Sequence, residues 1–192
     1  MSSADRDRLP PGQSRTIKWP VLHYGNVPRF DPARWNFRVF GLVEREVRLT
    51  WDQLTAMPRT RIVTDIHCVT KWTRFDTSFE GVRARDVVAL AGAKPPAAFV
   101  NVVCEQGYTT NVPLADFADD DVLLAWRADD ADLTPDHGWP LRLVVPKRYL
   151  WKSAKWVRGF ELLAADRPGF WENAGYHNDA DPWKEQRLRG DA

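Results

Sequence analysis

The feature that most constrains the fold is a series of short β-rich segments that end at turn residues. Helical patterns are few. Thr50–Gln53 fits a capping box that begins a short helix ending near Pro58, and Ala84–Ala91 has helical periodicity and is followed by Gly92. The segments that read as strands are 35–40, 46–49, 61–66, 99–104, 121–126, 141–145 and 156–163. Short strands mixed unevenly with a few helices predict an α+β fold.

The length and composition predict one domain with an N-terminal arm. The chain has 192 residues, of which 44% are hydrophobic, enough for a single domain with its own core. Residues 1–18 are polar and include Pro10, Pro11 and Gly12, which predicts an irregular arm. Residues 19–192 show no linker and are predicted to form the domain. Its aromatic-rich tail from Pro168 onward is predicted to be irregular and to close over another part of the molecule.

Charge and motif content exclude several classes of function. The formal net charge is +1, from 27 basic and 26 acidic residues, so a nucleic-acid or anionic-membrane surface is not indicated. No apolar run is long enough to span a membrane, and the N-terminus has no apolar secretory segment, which predicts a cytoplasmic protein. Neither a strand followed by GxGxxG nor a GxxxxGK[ST] motif is present, so dinucleotide and P-loop sites are unsupported.

Cys68, in the stretch TDIHCVTKW, has several possible roles. A buried structural thiol is the plain reading, and a disulfide with Cys104 is disfavoured in a reducing compartment. The position of Cys68 at a strand end beside His67 and Lys71, two potential cations, favours a thiolate that attacks a substrate or binds a metal. No local signature supports a cysteine protease, and no CxxC or HxxxH pair supports zinc. A lone thiolate suits a metal whose other ligands come from a cofactor.

The segment Asp136–Trp156 is rich in hydrogen-bond donors. Its side chains could form a solvated basic edge, which is the commoner outcome for such a charge run. They could instead hold the phosphate of a cofactor, because Arg and Lys side chains with nearby backbone amides form anion sites. The donors are His137, Arg142, Lys147, Arg148, Lys152, Ser153 and Lys155.

Two further loops carry polar groups beside glycine. The early loop contains His23, Tyr24 and Asn26, and a plain turn is its simplest interpretation. The late loop contains Tyr176 and His177, which alone indicate an aromatic surface loop.

Four motifs occurring in order resemble one family. They are D-I-H-C-V-T-x-W at 65–72, D-V-L-L-A at 121–125, H-G-x-P-L-R-L-V-V-P at 137–146 and W-K-S-A-K-W at 151–156. Together they resemble the oxidoreductase molybdopterin-binding domain of the sulfite oxidase superfamily, and most closely its small bacterial members of unknown substrate. The resemblance covers nearly all of the chain after the arm. It implies a sulfite-oxidase-type domain of mainly short strands with a few helices.

The resemblance also implies a cofactor, Mo-molybdopterin, and residues that hold it. Cys68 would be the thiolate ligand of molybdenum, and Tyr176 would lie beside the metal as the second catalytic residue. Cofactor contacts are implied, residue by residue, for His23, Tyr24, Gly25, His137, Arg142, Ser153, Ala154 and Lys155, and Lys155 suits the pterin phosphate.

The activity implied is two-electron oxygen-atom transfer on a small substrate, such as an S- or N-oxide. Sulfite is doubtful, because the arginine that sulfite oxidases carry in the early loop falls near Leu22 and His23 here. The sequence contains no haem domain, so a separate protein is expected to donate or accept electrons. Two alternatives stay open: a molybdopterin-binding protein without turnover, such as a carrier or redox partner, and a cofactor-free protein with a reactive Cys68.

Overall fold

The structure, a computed structural model, describes residues 3–191. Its strands are β1 (Ser14–Arg15), β2 (Asn36–Gly41), β3 (Val47–Thr50), β4 (Thr60–Cys68), β5 (Trp72–Arg83), β6 (Phe99–Cys104), β7 (Thr109–Pro113), β8 (Leu123–Ala128), β9 (Ala131–Asp132), β10 (Arg142–Val144) and β11 (Val157–Leu163). Its α-helices are α1 (Ser3–Arg6), α2 (Trp51–Thr55), α3 (Ala84–Ala91), α4 (Leu114–Phe117) and α5 (Phe170–Asn173). Short 3-10 turns lie at Glu105–Gly107, Pro135–His137 and Pro182–Lys184. The predicted α+β class is confirmed.

The strands form two sheets. The six-stranded sheet has the order β1-β5-β8-β10, with β4 paired to β5 and β9 paired to β8. The five-stranded sheet has the order β3-β2-β11-β6-β7, in which β2 and β11 are parallel and the other pairs are antiparallel. The antiparallel β4–β5 hairpin pairs Cys68 with Trp72 and therefore places Cys68 at the hairpin's turn.

The main core joins the two sheets. Phe37 and Phe160 of the five-stranded sheet and Leu124 and Leu143 of the six-stranded sheet are all fully buried in one cluster. The helix α3 adds an apolar face to the same cluster. No helix among residues 3–191 has both the length and the apolar character needed to cross a membrane.

The secondary-structure predictions are confirmed where the local signal was strong. Thr50 and Gln53 form the reciprocal capping box at the start of α2, and α3 has the predicted bounds. The long strand β5 was missed because its sequence, WTRFDTSFEGVR, is interrupted by polar residues and Gly81. At Gly81 the backbone of Leu124 approaches so closely that a Cβ would overlap it, which explains the glycine within the strand.

The arm is more ordered than predicted. It contains α1 and β1, and β1 adds to the six-stranded sheet by pairing in parallel with β5. Met1 and Ser2 of the predicted arm, and Ala192 at the end of the predicted domain, lie outside the described residues. In its described residues, the predicted irregular tail contains the short helix α5, one 3-10 turn and an isolated bridge between Tyr176 and Leu188.

Candidate functional site

The β4–β5 turn presents Cys68. The backbone N–H of Lys71 donates to the Cys68 carbonyl at 3.0 Å, which closes the turn, and the Cys68 Sγ lies 3.1 Å from the Thr70 hydroxyl. The Cys68 side chain is buried, and this burial raises the pKa of the thiol. Cys68 is therefore a protonated thiol at neutral pH unless a metal replaces the proton.

One of the two potential cations expected beside Cys68, His67, is not charged at neutral pH. His67 is buried with its Nδ1 2.9 Å from the Thr73 hydroxyl, and burial lowers its pKa to about 4. His67 is thus neutral at neutral pH, and the expectation that it favours a Cys68 thiolate by its charge is wrong. Among the cations, it is Lys155 whose charge lowers the Cys68 pKa, against the larger effect of burial.

Arg142 and Lys155 are cations whose polar contacts are carbonyl oxygens. Arg142 donates from Nη1 to the His137 carbonyl at 2.9 Å and from Nη2 to the Ser153 carbonyl at 3.0 Å. The buried Nε of Arg142 has no hydrogen-bond partner among the described residues. Burial lowers the pKa of the Arg142 guanidinium to about 10. Lys155 Nζ donates to the carbonyls of Leu22, at 2.9 Å, and Asp136, at 2.5 Å. Burial and then the Arg142 charge lower the Lys155 pKa to about 7. Within residues 3–191 neither cation forms an ion pair with a carboxylate.

A cavity of about 320 Å³ brings the thiol and both cations together. Eight of the ten residues implied by the family resemblance line it: His23, Tyr24, Cys68, Arg142, Ser153, Ala154, Lys155 and Tyr176. The Ser153 hydroxyl accepts the Val145 N–H at 2.9 Å and keeps its own proton for donation. The cavity therefore offers a thiol, two cations and a hydroxyl donor to one ligand.

Gly25 and His137 are not part of the cavity lining. Gly25 has φ 73°, and a Cβ there would overlap the side-chain oxygen of Gln106, so glycine serves the turn itself. His137 stacks on Trp19 with ring centroids 4.2 Å apart, and its carbonyl accepts the Arg142 guanidinium. His137 thus contacts Arg142 through a hydrogen bond without lining the cavity itself.

The tail closes over the cavity, in agreement with the expectation for it. Trp171 and Tyr176 lie in the wall, and Tyr176 packs on Trp151 with ring centroids 5.1 Å apart. A buried ion pair of 2.6 Å between Lys152 Nζ and Glu172 Oε1 fixes α5 beneath this wall. Lys152 is thus part of the interior and not of a solvated basic edge.

Several wall residues were not assigned a role from the sequence. Six of them are aromatic, namely Trp19, Trp72, Tyr108, Trp151, Trp156 and Trp171. The total of ten tryptophans gave a general signal for an aromatic pocket. It could not indicate which of them line the cavity.

A larger depression of about 770 Å³ lies beyond Trp156 and Glu105, which it shares with the cavity. Its charged walls include Arg158, which is already paired with Glu105 at 2.6 Å. The Cys68 thiol and the cations of Arg142 and Lys155 line the smaller cavity. The smaller cavity is therefore the candidate active site.

The chain is similar to one family model and to several known proteins. The family model of the oxidoreductase molybdopterin binding domain matches residues 24–171. The uncharacterized oxidoreductase YuiH of Bacillus subtilis (strain 168) is 47% identical over 185 residues, which are 96% of this chain and 93% of that protein. A nitrate reductase [NADH] of Volvox carteri is 28% identical, covering 79% of this chain but 21% of that protein. The putative protein-methionine-sulfoxide reductase subunit YedZ1 of Azospira oryzae is 28% identical, covering 81% of this chain and 60% of that protein.

A solved structure supports the fold. The sulfane dehydrogenase SoxCD from Paracoccus pantotrophus superposes with a TM-score of 0.69 at 24% identity, covering 76% of this chain and 42% of that chain. The match to the family model does not favour a cofactor-free protein with a reactive thiol, and the relatives' names as oxidoreductases do not favour a carrier without turnover. The chain belongs to the oxidoreductase molybdopterin-binding domain family and is a molybdenum-dependent oxidoreductase of the sulfite oxidase type, with Mo-molybdopterin as its cofactor.

Proposed function

We propose that the chain reduces a small, uncharged S- or N-oxide by two-electron oxygen-atom transfer. For a sulfoxide the net change is R₂SO + 2e⁻ + 2H⁺ → R₂S + H₂O. One observation carries the proposal: Cys68, Arg142 and Lys155 meet in one cavity that is also lined by eight Trp and Tyr side chains. When bound, Mo-molybdopterin supplies oxygen-atom transfer coupled to a two-electron change at the metal.

The residues present fit this cofactor. Arg142 Nε is a buried donor without a partner among the described residues, and Lys155 forms no ion pair with a described carboxylate, so both suit an anionic group such as the pterin phosphate. Ser153 adds a hydroxyl donor. Among the described residues no group of three or more His, Cys, Asp and Glu could hold a metal. Cys68 therefore suits a metal whose remaining ligands the cofactor brings.

The walls around Cys68 favour a substrate without charge. Trp151, Trp171 and Tyr176 line the tail side of the cavity, and aromatic faces suit apolar or weakly polar groups better than a hydrated anion. Arg142 and Lys155 would hold the cofactor. Leu22 and His23 occupy the place where the resemblance implied an arginine in sulfite oxidases, which supports the view that sulfite is a poor substrate.

Tyr176 has a distinct proposed role. Its ring is held between Trp151 and Trp171, with centroid distances of 5.1 and 4.9 Å. A phenol fixed in this way can donate a hydrogen bond to the oxygen of the bound substrate. Electrons would come from a separate protein, in line with the name of the YedZ1 relative as one subunit of a reductase. The compartment proposed for this activity is the cytoplasm.

The test combines metal analysis with a panel of acceptors. Protein from a cofactor-competent host supplied with molybdate should contain close to one molybdenum per chain. With a reduced dye as donor, it should turn over dimethyl sulfoxide, methionine sulfoxide or trimethylamine N-oxide faster than nitrate. With an oxidised dye as acceptor, sulfite should be oxidised slowly or not at all. Cys68→Ala should lose turnover and change the visible absorption. Preferred turnover of sulfite or nitrate would contradict the substrate class, and unchanged absorption in Cys68→Ala would contradict the ligand.

A further inference from the structure

The N-terminal arm meets the turn that presents Cys68. The Ser14 N–H donates to the Lys71 carbonyl at 3.0 Å, and the Thr16 N–H donates to the Thr73 carbonyl at 2.9 Å. These bonds join β1 to the first residues of β5, immediately after the turn. The arm thus fixes the outgoing side of the Cys68 turn.

The side chain of Gln13 reaches Cys68 itself. Its Nε2 donates to the Cys68 carbonyl at 3.1 Å, which also accepts the Lys71 N–H at 3.0 Å. Its Oε1 accepts from the Thr73 hydroxyl at 3.5 Å. Since a carbonyl has two lone pairs, Gln13 and Lys71 together satisfy this oxygen. The Cys68 carbonyl is therefore fixed by two hydrogen bonds, one from the Gln13 side chain and one from the Lys71 backbone.

A second contact of the arm holds the strands behind the turn. Arg8 forms a bidentate pair with Asp65, at 2.9 and 2.5 Å, and a further bond to Asp76 at 2.6 Å. Its guanidinium lies 4.2 Å from the centre of the Phe75 ring. Asp65 sits at the irregularity of the β4–β5 ladder, between Thr64 and Ile66. Arg8 therefore links both strands of the β4–β5 hairpin, which has Cys68 at its turn.

We propose that Gln13 is a positioning residue for the molybdenum ligand. Its bond to the Cys68 carbonyl sets the backbone from which the thiol projects into the cavity. This inference rests on the proposed function, in which Cys68 binds the metal. Groups that orient a metal ligand by hydrogen bonding commonly contribute about 10- to 100-fold to metal affinity or activity. The same size of effect is expected for Gln13.

The test uses two substitutions with different hydrogen-bonding capacity. Gln13→Ala removes both bonds. Gln13→Glu keeps an acceptor for Thr73 but, as a carboxylate, cannot donate to the Cys68 carbonyl. Lys18→Ala, an exposed position in the same arm, is the matched control. The readouts are molybdenum per chain, the visible absorption of the loaded protein, and the rate at which iodoacetamide alkylates Cys68 in cofactor-free protein, measured by mass spectrometry. Urea midpoints show whether each variant is folded.

Both Gln13 variants should shift or weaken the absorption band and speed alkylation of Cys68, while Lys18→Ala matches the wild type. A Gln13→Glu protein indistinguishable from the wild type in band and alkylation rate would overturn the inference. A lower urea midpoint with an unchanged band and alkylation rate would also overturn it, because that is the result of a purely structural role.

Cys68→Ala separates this inference from the function on which it rests. If Cys68→Ala changes the band and the Gln13 variants do not, only the positioning role is wrong. If Cys68→Ala leaves the band unchanged, the ligand assignment itself is wrong.

Discussion

Lys152 and Lys155 belong to the same short motif, yet the structure gives them opposite surroundings. Lys152 is almost completely buried and lies 2.6 Å from the carboxylate of Glu172, with Asn111 supplying two further acceptors at 2.9 and 2.7 Å. Lys155 is partly buried, lines the cavity and contacts two backbone carbonyls. Arg142 resembles Lys155, since the hydrogen-bond partners of its buried side chain among residues 3–191 are carbonyls.

The difference shows which buried cations have a carboxylate partner within the protein and which are available to pair with an anionic ligand. A buried charge is costly unless a counter-charge and hydrogen bonds compensate it. Lys152 receives that compensation from the protein. Among the described residues, Arg142 and Lys155 make polar contacts only with backbone carbonyls. Burial lowers the pKa of all three side chains, but Glu172 opposes this lowering in Lys152, whereas the Arg142 charge adds to it in Lys155. An anionic ligand in the cavity would supply the missing charge.

The largest effect on stability is expected from breaking the buried ion pair between Lys152 and Glu172. Glu172→Ala would leave Lys152 buried without a counter-charge and would remove the acceptor of the Thr110 hydroxyl and of the Trp151 indole N–H, both at 3.0 Å. The free energy of unfolding should fall by about 3–5 kcal/mol. Urea denaturation of the cofactor-free protein measures this change.

Glu46→Ala is the control for that experiment. Glu46 forms an exposed pair of 3.4 Å with Arg38, and its loss should cost less than about 1 kcal/mol. Equal stability of the two variants would show that the buried pair does not hold the tail.

A different outcome is expected from removing a cation that the fold leaves without a carboxylate. Arg142→Met keeps much of the side-chain volume and removes the charge. Lost charge-assisted hydrogen bonds to the ligand are worth about 1.5–3 kcal/mol, or roughly 10- to 150-fold in cofactor affinity. Molybdenum per chain should therefore fall sharply, while the stability of the cofactor-free protein changes less than in Glu172→Ala. Elemental analysis and urea denaturation give the two values.

Arg148→Met provides the matched comparison. Arg148 lies in the same segment but pairs with Asp116 outside the cavity. It should retain molybdenum at the level of the wild type. Equal molybdenum in the Arg142 and Arg148 variants would remove Arg142 from the cofactor site.

The pKa of Lys155 predicts a pH dependence in the cofactor-free protein. Burial lowers this pKa from its ordinary 10.5 to about 7. Between these values the unfolded chain binds a proton that the folded chain has released, so the free energy of unfolding rises with pH across this window. Below pH 7 both states are protonated and the full penalty remains. Relative to Lys155→Met, the wild type should therefore gain stability between pH 7 and 10.5. A constant difference between the two proteins across that range would show that Lys155 is not desolvated.

The sequence allowed the fold class and part of the cavity lining to be predicted, because the same motif residues indicate the family and its cofactor contacts. Eight of the ten predicted site residues line one cavity, and the α3 bounds follow from helical periodicity and Gly92. The roles of these residues stay predictions.

Features that depend on distant segments could not be read from the sequence. Nothing local distinguishes Lys152 from Lys155, because the carboxylate that separates them, Glu172, is supplied from another part of the chain. The neutral state of His67 likewise follows from burial in the tertiary structure. The pairing of β1 with β5 could not be predicted because β1 has only two residues and its partner strand was itself missed.

The smallest effect on stability and on molybdenum content is expected at Lys147, which is neither in the buried ion pair nor in the cavity lining. Its side chain is 55% exposed and pairs with Asp119 at 2.6 Å. Because exposed ion pairs contribute about 0–1 kcal/mol, Lys147→Ala should change the urea midpoint little and leave molybdenum per chain unchanged. Loss of molybdenum in this variant would mean that the overall positive charge of the segment attracts the cofactor, and burial without a carboxylate would no longer identify the binding cations. Retention, together with loss in Arg142→Met, would assign cofactor binding to the cations that line the cavity.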